Sequence, residues 1–105
     1  MDTIPDRVKT IIEKYILALK ENNIPIEQII LFGSYAQGSY SEFSDIDIAV
    51  VSNIFEGDRF LDRGKIRRIN LSVSSDLEIL PYRPQDFTSE NPFVKEIMET
   101  GIKIA

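Results

Sequence analysis

The segment 45–51 constrains the fold of this chain most strongly, because acidic and apolar residues alternate along it. An extended chain sends successive side chains to opposite faces of a sheet. The segment therefore divides its residues between two faces: Ile46, Ile48 and Val50 on one, and Asp45, Asp47 and Ala49 on the other. This alternation predicts a β-strand with one buried face, so the chain must contain other strands that pair with it.

The N-terminal part of the chain has the pattern of an amphipathic helix. Apolar residues recur at spacings of three and four through residues 3–22, which is the helical period. Thr3 is the predicted cap of this helix, and Pro5 and Asp6 are expected in its first turn, where both residue types are favoured.

The rest of the chain alternates between strand-like and helical patterns. In chain order, the predicted elements are a buried strand at 26–32, a loop leading into a short helix at 33–44, a charged helical connection at 57–68, a strand at 77–80 halted by Pro81, a turn at 84–87 and a closing helix at 92–100 before Gly101. This order predicts an α/β or α+β fold in which helices flank a small mixed sheet. A chain of 105 residues suffices for one domain, 1–105, and is too short for two.

Composition narrows the chemistry that such a domain can perform. The chain contains no cysteine and no histidine, which excludes disulfides, zinc-thiolate sites and imidazole bases. Catalysis would therefore rest on carboxylates, hydroxyls, backbone groups or a hard metal ion. The net charge of −5 has the wrong sign for bulk electrostatic binding of nucleic acid. No apolar run reaches the roughly 20 residues that span a bilayer, and Asp2 and Asp6 do not fit a secretory signal, so we expect a cytoplasmic protein.

The acidic residues of the segment 45–51 form a candidate metal site. Asp45 and Asp47 would point to the same face of the strand, with Cα atoms roughly 6.5 Å apart. Aligned carboxylates repel each other unless a cation lies between them, and oxygen-only ligands favour Mg²⁺, or Mn²⁺, over zinc. A third carboxylate from a neighbouring strand, Asp76 or Glu78, would complete a site for two ions about 4 Å apart that serves phosphoryl transfer. Periodicity does not choose between these two residues, because both would share a face of a regular strand.

Gly33 and Ser34 form a candidate phosphate-binding loop, because they follow a strand and precede a helix. Free backbone N–H groups at such a position attract anions. Gly33 permits the close approach of a phosphate, the Ser34 hydroxyl can bond to it, and Gly38 lets the chain turn away again. These residues would lay a polyphosphate across the candidate metal ligands.

The string GSYAQGSYSEFSDIDIAV, which begins at Gly33, resembles the nucleotidyltransferase signature of the polymerase-beta superfamily. In that signature, glycine and serine precede an Asp-x-Asp motif inside an apolar strand. The short chain resembles the MNT group, the minimal nucleotidyltransferases that are often encoded beside HEPN-domain proteins. The resemblance implies that Gly33 and Ser34 bind nucleotide phosphates and that Asp45 and Asp47 ligate magnesium.

The resemblance leaves two positions for the third carboxylate. Relatives usually have aspartate there, which favours Asp76. The segment 81–84 looks like the family's strand exit, and its position just after Glu78 favours that residue, which we adopt. Many relatives also have arginine at one or both of the positions held here by Tyr35 and Gln37. Neutralisation of the phosphates would therefore depend more heavily on the metal ions in this chain.

The activity implied by the resemblance is the transfer of AMP from ATP to a protein acceptor. With histidine absent, the third carboxylate is the expected proton acceptor. The implied partner is a HEPN-domain toxin in a hetero-oligomer, with this chain as the antitoxin. Two alternatives stay open: a non-catalytic module that neutralises its partner by binding alone, and transfer to RNA or to a small hydroxylated compound. The cations within 59–68 are expected on a solvated helix face, whereas Tyr35 and Tyr40 either stack on a base or pack within the domain.

Overall fold

The computed structural model describes residues 4–105 as one four-stranded sheet with helices on both of its faces. The helices are α1 (Asp6–Glu21), α2 (Ser34–Gln37), α3 (Arg59–Val73) and α4 (Pro92–Thr100). The strands are β1 (Gln28–Phe32), β2 (Ile46–Val51), β3 (Leu77–Tyr82) and β4 (Ile102–Lys103), and a 3-10 turn covers Pro84–Asp86. This arrangement confirms the predicted mixed sheet flanked by helices.

The sheet has the strand order β3-β2-β1-β4 and mixes parallel with antiparallel pairs. β1 runs antiparallel to β2 and to β4, whereas β2 and β3 are parallel. The end of β1 and the beginnings of β2 and β3 therefore lie at the same end of the sheet. Phe32, Asp47 and Glu78 are neighbours there, because Asp47 is the register partner of both others.

Apolar side chains cover both faces of the sheet. α1 and α3 cover one face, where Tyr15, Ile48 and Ile66 are completely buried. α4 covers the other face through Val94 and Ile97. Each fully buried aliphatic side chain stabilises the fold by roughly 1.5–3 kcal/mol, so these two layers hold the strands in place. Within residues 4–105, none of the helices is both long and apolar enough to cross a lipid bilayer.

β2 is buried on both of its faces, which corrects the prediction of a single buried face. Its face toward α1 and α3 is apolar, as expected. Ala49 and Val51 on the other face are also buried, because they pack with residues of α4. Asp47 is the residue of this strand that stays partly exposed. The site is therefore confined to the beginning of the strand.

Several element boundaries differ from those predicted. α1 begins at Asp6 with Pro5 at its N-cap, and the predicted cap, Thr3, lies outside the described residues. α3 continues to Val73 and β1 begins at Gln28. β4 is absent from the prediction, because a strand of two residues has no period to detect and is defined by its pairing with β1.

Pro81 does not halt β3, contrary to the prediction, and the strand runs on to Tyr82. The carbonyls of Asp76 and Tyr82 accept hydrogen bonds from the N–H groups of Ile46 and Ser52, at 2.8 and 3.1 Å. Alternate residues of β3 therefore bond to β2, and Pro81 lies between them with its missing N–H toward the open edge of the sheet. Proline is tolerated on an edge strand because no ladder hydrogen bond is lost there.

Asp62 is buried within the otherwise solvated start of α3, which corrects the interpretation of this segment as a solvated face. The five cations of the helix are exposed as expected, but Asp62 is only 2% exposed. Its carboxylate accepts hydrogen bonds from the backbone N–H groups of Glu56 and Gly57, at 2.8 and 3.0 Å, and Lys65 Nζ lies 3.8 Å away. Asp62 therefore fixes the loop that leads from β2 into α3.

We predict that Asp62→Ala destabilises the fold more than Asp58→Ala. Removing the Asp62 carboxylate leaves two backbone donors without their partner and costs roughly 2–4 kcal/mol. Asp58 caps α3 by accepting one exposed hydrogen bond from Leu61 N–H, and losing such a cap costs about 1 kcal/mol. Urea unfolding followed by circular dichroism measures both free energies. Equal destabilisation by the two substitutions would contradict the role assigned to Asp62.

Candidate active site

Phe32, Asp47 and Glu78 form a row across three strands at one end of the sheet. They are Cα register partners, so their side chains start roughly 4.8 Å apart and project from the same face. Ala49 and Val51 continue this face of β2 beneath α4, whereas Asp47 is half-buried and Glu78 is exposed. Two carboxylates are therefore held side by side at the open end of the face.

Asp45 adds a third carboxylate next to this row. It is exposed and directly precedes β2. Burial raises the pKa of the Asp47 carboxyl above its ordinary value, and the charges of Asp45 and Glu78 raise it further. The three acids thus lie close enough to repel one another, and a cation would relieve that repulsion.

The donor atoms of these acids fit a hard cation, since carboxylate oxygens are the ligands that Mg²⁺ and Mn²⁺ prefer. In the part of the chain from residue 4 onward, however, no three acidic side chains converge as a preformed metal cluster. Glu78 pairs instead with Arg63, whose Nη2 lies 3.8 Å from Glu78 Oε1, and both side chains are about half exposed. Exposed ion pairs contribute about 0–1 kcal/mol, so Glu78 can exchange this arginine for a cation at little cost.

Gly33 holds the loop after β1 directly against Asp47. Its φ of 76° and ψ of −151° belong to a region that glycine alone adopts readily. A Cβ at Gly33 would overlap the Asp47 carboxylate. Glycine is therefore required by the backbone conformation, and a side chain here would also force the Asp47 carboxylate to move. The loop thus lies beside the acidic row.

Ser34 begins the short helix α2, whose single turn is closed on the Gly33 carbonyl. That carbonyl accepts hydrogen bonds from the N–H groups of Ala36 and Gln37, both at 3.1 Å. Gly38 ends the helix with a φ of 77°, and a Cβ there would meet nothing within 4 Å. Gly38 is therefore needed for its left-handed conformation alone, whereas Ser34 stays partly accessible next to Gly33.

Asp76 lies in the turn before β3 and pairs with α1. Its Oδ2 is 3.3 Å from Arg7 Nη1. Glu78, not Asp76, is the register partner of Asp47. Of the two positions considered for the third carboxylate, the structure thus places Glu78 beside Asp47 and Asp76 beside Arg7.

Tyr35 belongs to the core and does not offer an open surface for stacking on a base. It is 2% exposed and stacks on Tyr40 with ring centroids 4.7 Å apart. Its hydroxyl accepts a hydrogen bond from Arg7 Nη2 at 3.2 Å, so Arg7 links the loop to Asp76 and to α1. Sequence patterns gave no sign of Arg7, because its bond to Asp76 joins positions 69 residues apart.

A cavity of about 680 Å³ lies at the opposite end of the sheet from the acids. Its lining includes Gly57, Tyr82 and Arg83. Tyr82 pairs with Val51 at the far end of the β2–β3 ladder, whereas Asp47 lies near its beginning. This cavity is therefore not part of the acidic site.

A family profile described as Nucleotidyltransferase domain matches residues 12–104 of the chain. The matched region contains Gly33, Ser34, Asp45, Asp47 and Glu78. The loop and the acidic row thus lie inside the domain that defines the family.

Two curated relatives and one solved structure are similar to the chain. "Putative protein adenylyltransferase MJ0604" of Methanocaldococcus jannaschii is 50% identical over 44 residues, which cover 41% of this chain and 44% of that protein. "Putative protein adenylyltransferase MJ0141" of the same organism is 31% identical over 81 residues, which cover 75% of this chain and 79% of that protein. A chain of the "Crystal structure of the toxin-antitoxin with AMP-PNP" is 26% identical, with a TM-score of 0.63, over 89% of this chain and 71% of that one.

The extent of these matches differs, but they agree on the domain. The chain spans less than half the length of the first relative and most of the second. The family profile covers nearly all of the chain, and the solved structure has the same fold. The chain therefore belongs to the nucleotidyltransferase domain family.

Proposed function

We propose that this enzyme transfers AMP from ATP to a protein acceptor in a magnesium-dependent reaction. The observation that carries the proposal is the side-by-side placement of Asp47 and Glu78, with Gly33 against Asp47. The names of the two relatives support a protein as the acceptor. The solved neighbour is a toxin-antitoxin structure with AMP-PNP, which supports an adenine nucleotide as the donor.

The loop after β1 would hold the triphosphate of ATP. Ser34 and the backbone N–H groups at the start of α2 would donate hydrogen bonds to it, while Gly33 and Gly38 set the path of the loop. The side chains of Tyr35, which is also buried, and Gln37 are uncharged, so neither supplies a cation. The charge of the phosphates would therefore be neutralised by the metal ions that the acidic row holds.

Asp45, Asp47 and Glu78 would hold the metal, with two Mg²⁺ ions in the complete site and Mn²⁺ as a substitute. When bound, such ions stabilise the charge of the phosphates and lower the pKa of a hydroxyl that attacks them. Burial and, to a smaller extent, the charges of Asp45 and Glu78 raise the pKa of Asp47, so a cation beside this carboxylate would favour its charged form. Asp76 is paired with Arg7 and has a structural role in this proposal, not the catalytic role that the family's aspartate suggested.

Transfer would break a phosphoanhydride bond of ATP and form a phosphodiester bond to the acceptor. The acceptor hydroxyl oxygen forms a bond to the α-phosphorus of ATP while the bond to the oxygen that bridges to the β-phosphate breaks. AMP then remains on the acceptor, and pyrophosphate leaves. The proton of the hydroxyl passes to the carboxylate of Glu78, which is exposed on the side where an acceptor can approach.

The proposed acceptor is a HEPN-domain toxin that forms a hetero-oligomer with this chain in the cytoplasm. The toxin-antitoxin assembly of the solved neighbour supports a toxin as the partner. Modification by AMP would neutralise the toxin and make this chain the antitoxin. The net charge of −5 opposes RNA as the acceptor.

Labelling tests the donor, the metal and the acceptor together. Incubation of the chain with a HEPN-domain protein, Mg²⁺ and ATP labelled in its α-phosphate should place the label on that protein, and mass spectrometry should find AMP on a hydroxyl side chain. EDTA should prevent the transfer. Label on RNA or on a small hydroxylated compound would replace the proposed acceptor. A stable complex without any label would identify a non-catalytic binding module.

Asp47→Asn should abolish AMP transfer and raise the stability of the metal-free fold. The substitution removes a carboxylate whose charge is opposed by burial and by neighbouring acids, and it changes little volume. Activity should fall by more than about a hundredfold, because metal catalysis supplies several kcal/mol. Mg²⁺ should raise the melting temperature of the wild type and not that of the variant. Glu13→Gln, a control at an exposed position of α1, should keep the rise of the melting temperature with Mg²⁺. If the Asp47→Asn variant also kept this rise, Asp47 would be excluded as a ligand.

Gly33→Ala should destabilise the fold in a way that depends on Asp47. The strained conformation alone costs roughly 1–3 kcal/mol, and the overlap with the carboxylate adds to this. The overlap is relieved in an Asp47→Ala background, so Gly33→Ala should cost less there. Gly38→Ala carries only conformational strain and should cost the same in both backgrounds. Urea unfolding of the double-mutant cycles measures these values, and an unchanged cost of Gly33→Ala would contradict the contact.

A further inference from the structure

A groove of about 490 Å³ lies between α3 and β3. The start of β3 forms one wall, and the other wall is a stripe of α3 with residues three or four positions apart: Phe60, Arg63, Gly64, Arg67 and Leu71. Glu78 lines the groove and is also a member of the acidic row. A molecule bound in this groove would therefore lie next to the site of AMP transfer.

The start of β3 presents unpaired backbone groups to this groove. β3 is the edge of the sheet, and within residues 4–105 no other strand pairs with its outer side. Because Asp76 and Tyr82 bond to β2, the N–H and C=O groups of Leu77 and Ile79 point outward. Such an edge is a template for one further strand. Pro81 has no N–H to offer, which limits the template to the part nearest Glu78.

The helical wall combines exposed apolar and cationic side chains. Phe60 is 86% exposed and Leu71 is 60% exposed. α3 has five cations and a single acid, Asp62, which is buried, although the chain as a whole has a charge of −5. Arg67 has no ion-pair partner in the described part of the chain. The groove therefore complements a segment that carries both apolar and acidic side chains.

Gly64 lies in the middle of the stripe, although the packing of this chain does not require glycine there. Glycine weakens a helix relative to alanine. Gly64 has a helical conformation, and a Cβ at this position would meet nothing within 4 Å. The missing side chain leaves room for another backbone to approach the helix at the centre of the groove.

We propose that this groove binds an extended, acidic segment of the acceptor protein as an added strand on β3, and that it thereby delivers the acceptor hydroxyl to Glu78. The inference rests on the proposed transfer to a protein. Hydrogen bonds to the backbone of Leu77 and Ile79 would align the segment, and Gly64 would let its backbone pass close to α3.

Side chains of α3 would then select the segment by its charge. Arg67 pairs with one of its carboxylates, and Phe60 covers its apolar residues. Arg63 exchanges Glu78 for a second carboxylate of the segment, which frees Glu78 to accept the proton. An RNA strand would meet the same arginines, but it could not pair with the backbone of the strand edge.

Fluorescence anisotropy with labelled peptides tests the groove in the absence of ATP. The probe is a fluorescein-labelled decapeptide in which glutamate alternates with valine around one tyrosine, and the comparison peptide has lysine in place of each glutamate. We expect the glutamate peptide to bind at least about tenfold more tightly, because Arg63 and Arg67 repel lysine.

Two variants separate binding from folding. Gly64→Gln and Arg67→Glu should each weaken binding of the glutamate peptide by about tenfold or more. The glutamine of Gly64→Gln fills the groove but favours the helical conformation. The melting temperature of this variant should therefore rise while its affinity for the glutamate peptide falls. Arg68→Glu makes the same change of charge at an exposed position outside the groove and should retain the affinity of the wild type.

Equal affinity for the two peptides, or wild-type affinity in Gly64→Gln, would overturn the inference. Tighter binding of a fluorescein-labelled oligouridine that is lost in Arg67→Glu would also overturn it, because the groove would then belong to RNA. AMP transfer to the HEPN-domain protein is measured in parallel. Transfer that is unaffected by Gly64→Gln refutes the groove alone, whereas peptide binding without any transfer refutes the proposed function alone.

Discussion

The pairing register of β2 and β3 is the constraint on which the candidate active site depends. It makes Asp47 and Glu78 direct partners on adjacent strands, an arrangement of like charges that destabilises a sheet. The register is held by the apolar residues of the same strands, since a slip of one residue would turn every side chain to the other face. The core thus supplies the stability that keeps two repelling carboxylates together, and a bound cation would relieve that repulsion.

The residues around this acid pair accommodate the space and the negative charge of its carboxylates. Gly33 lacks a side chain where the Asp47 carboxylate occupies the space. Arg63 partly neutralises Glu78 at the surface, where the pair is weak enough to be exchanged. α3 has a double function here, because its inner stripe packs on the sheet while its outer stripe borders the groove beside Glu78. The chemistry and the proposed recognition of the acceptor therefore share one strand, β3.

Local patterns predicted the elements of this fold more successfully than they predicted its long-range contacts. Alternation along β2 predicted the strand but not its second buried face, which α4 covers from a distant part of the chain. The placement of Asp76 depends on Arg7, and no periodic signal marks that contact. The burial of Asp62 and the passage of β3 through Pro81 depend on where each residue lies relative to the loops and edges of the sheet. A local window of sequence does not contain that information.

Pro81 also limits how the chain can meet copies of itself. Open strands tend to join edge to edge in aggregates, and a proline on the edge is one of the features that prevent this. On the outer side of β3, the proline leaves Leu77 and Ile79 with complete sets of backbone donors and acceptors. So few backbone hydrogen bonds do not hold two sheets together unless side chains add further contacts. The ring of Pro81 thus both discourages edge-to-edge association and confines strand addition to Leu77 and Ile79.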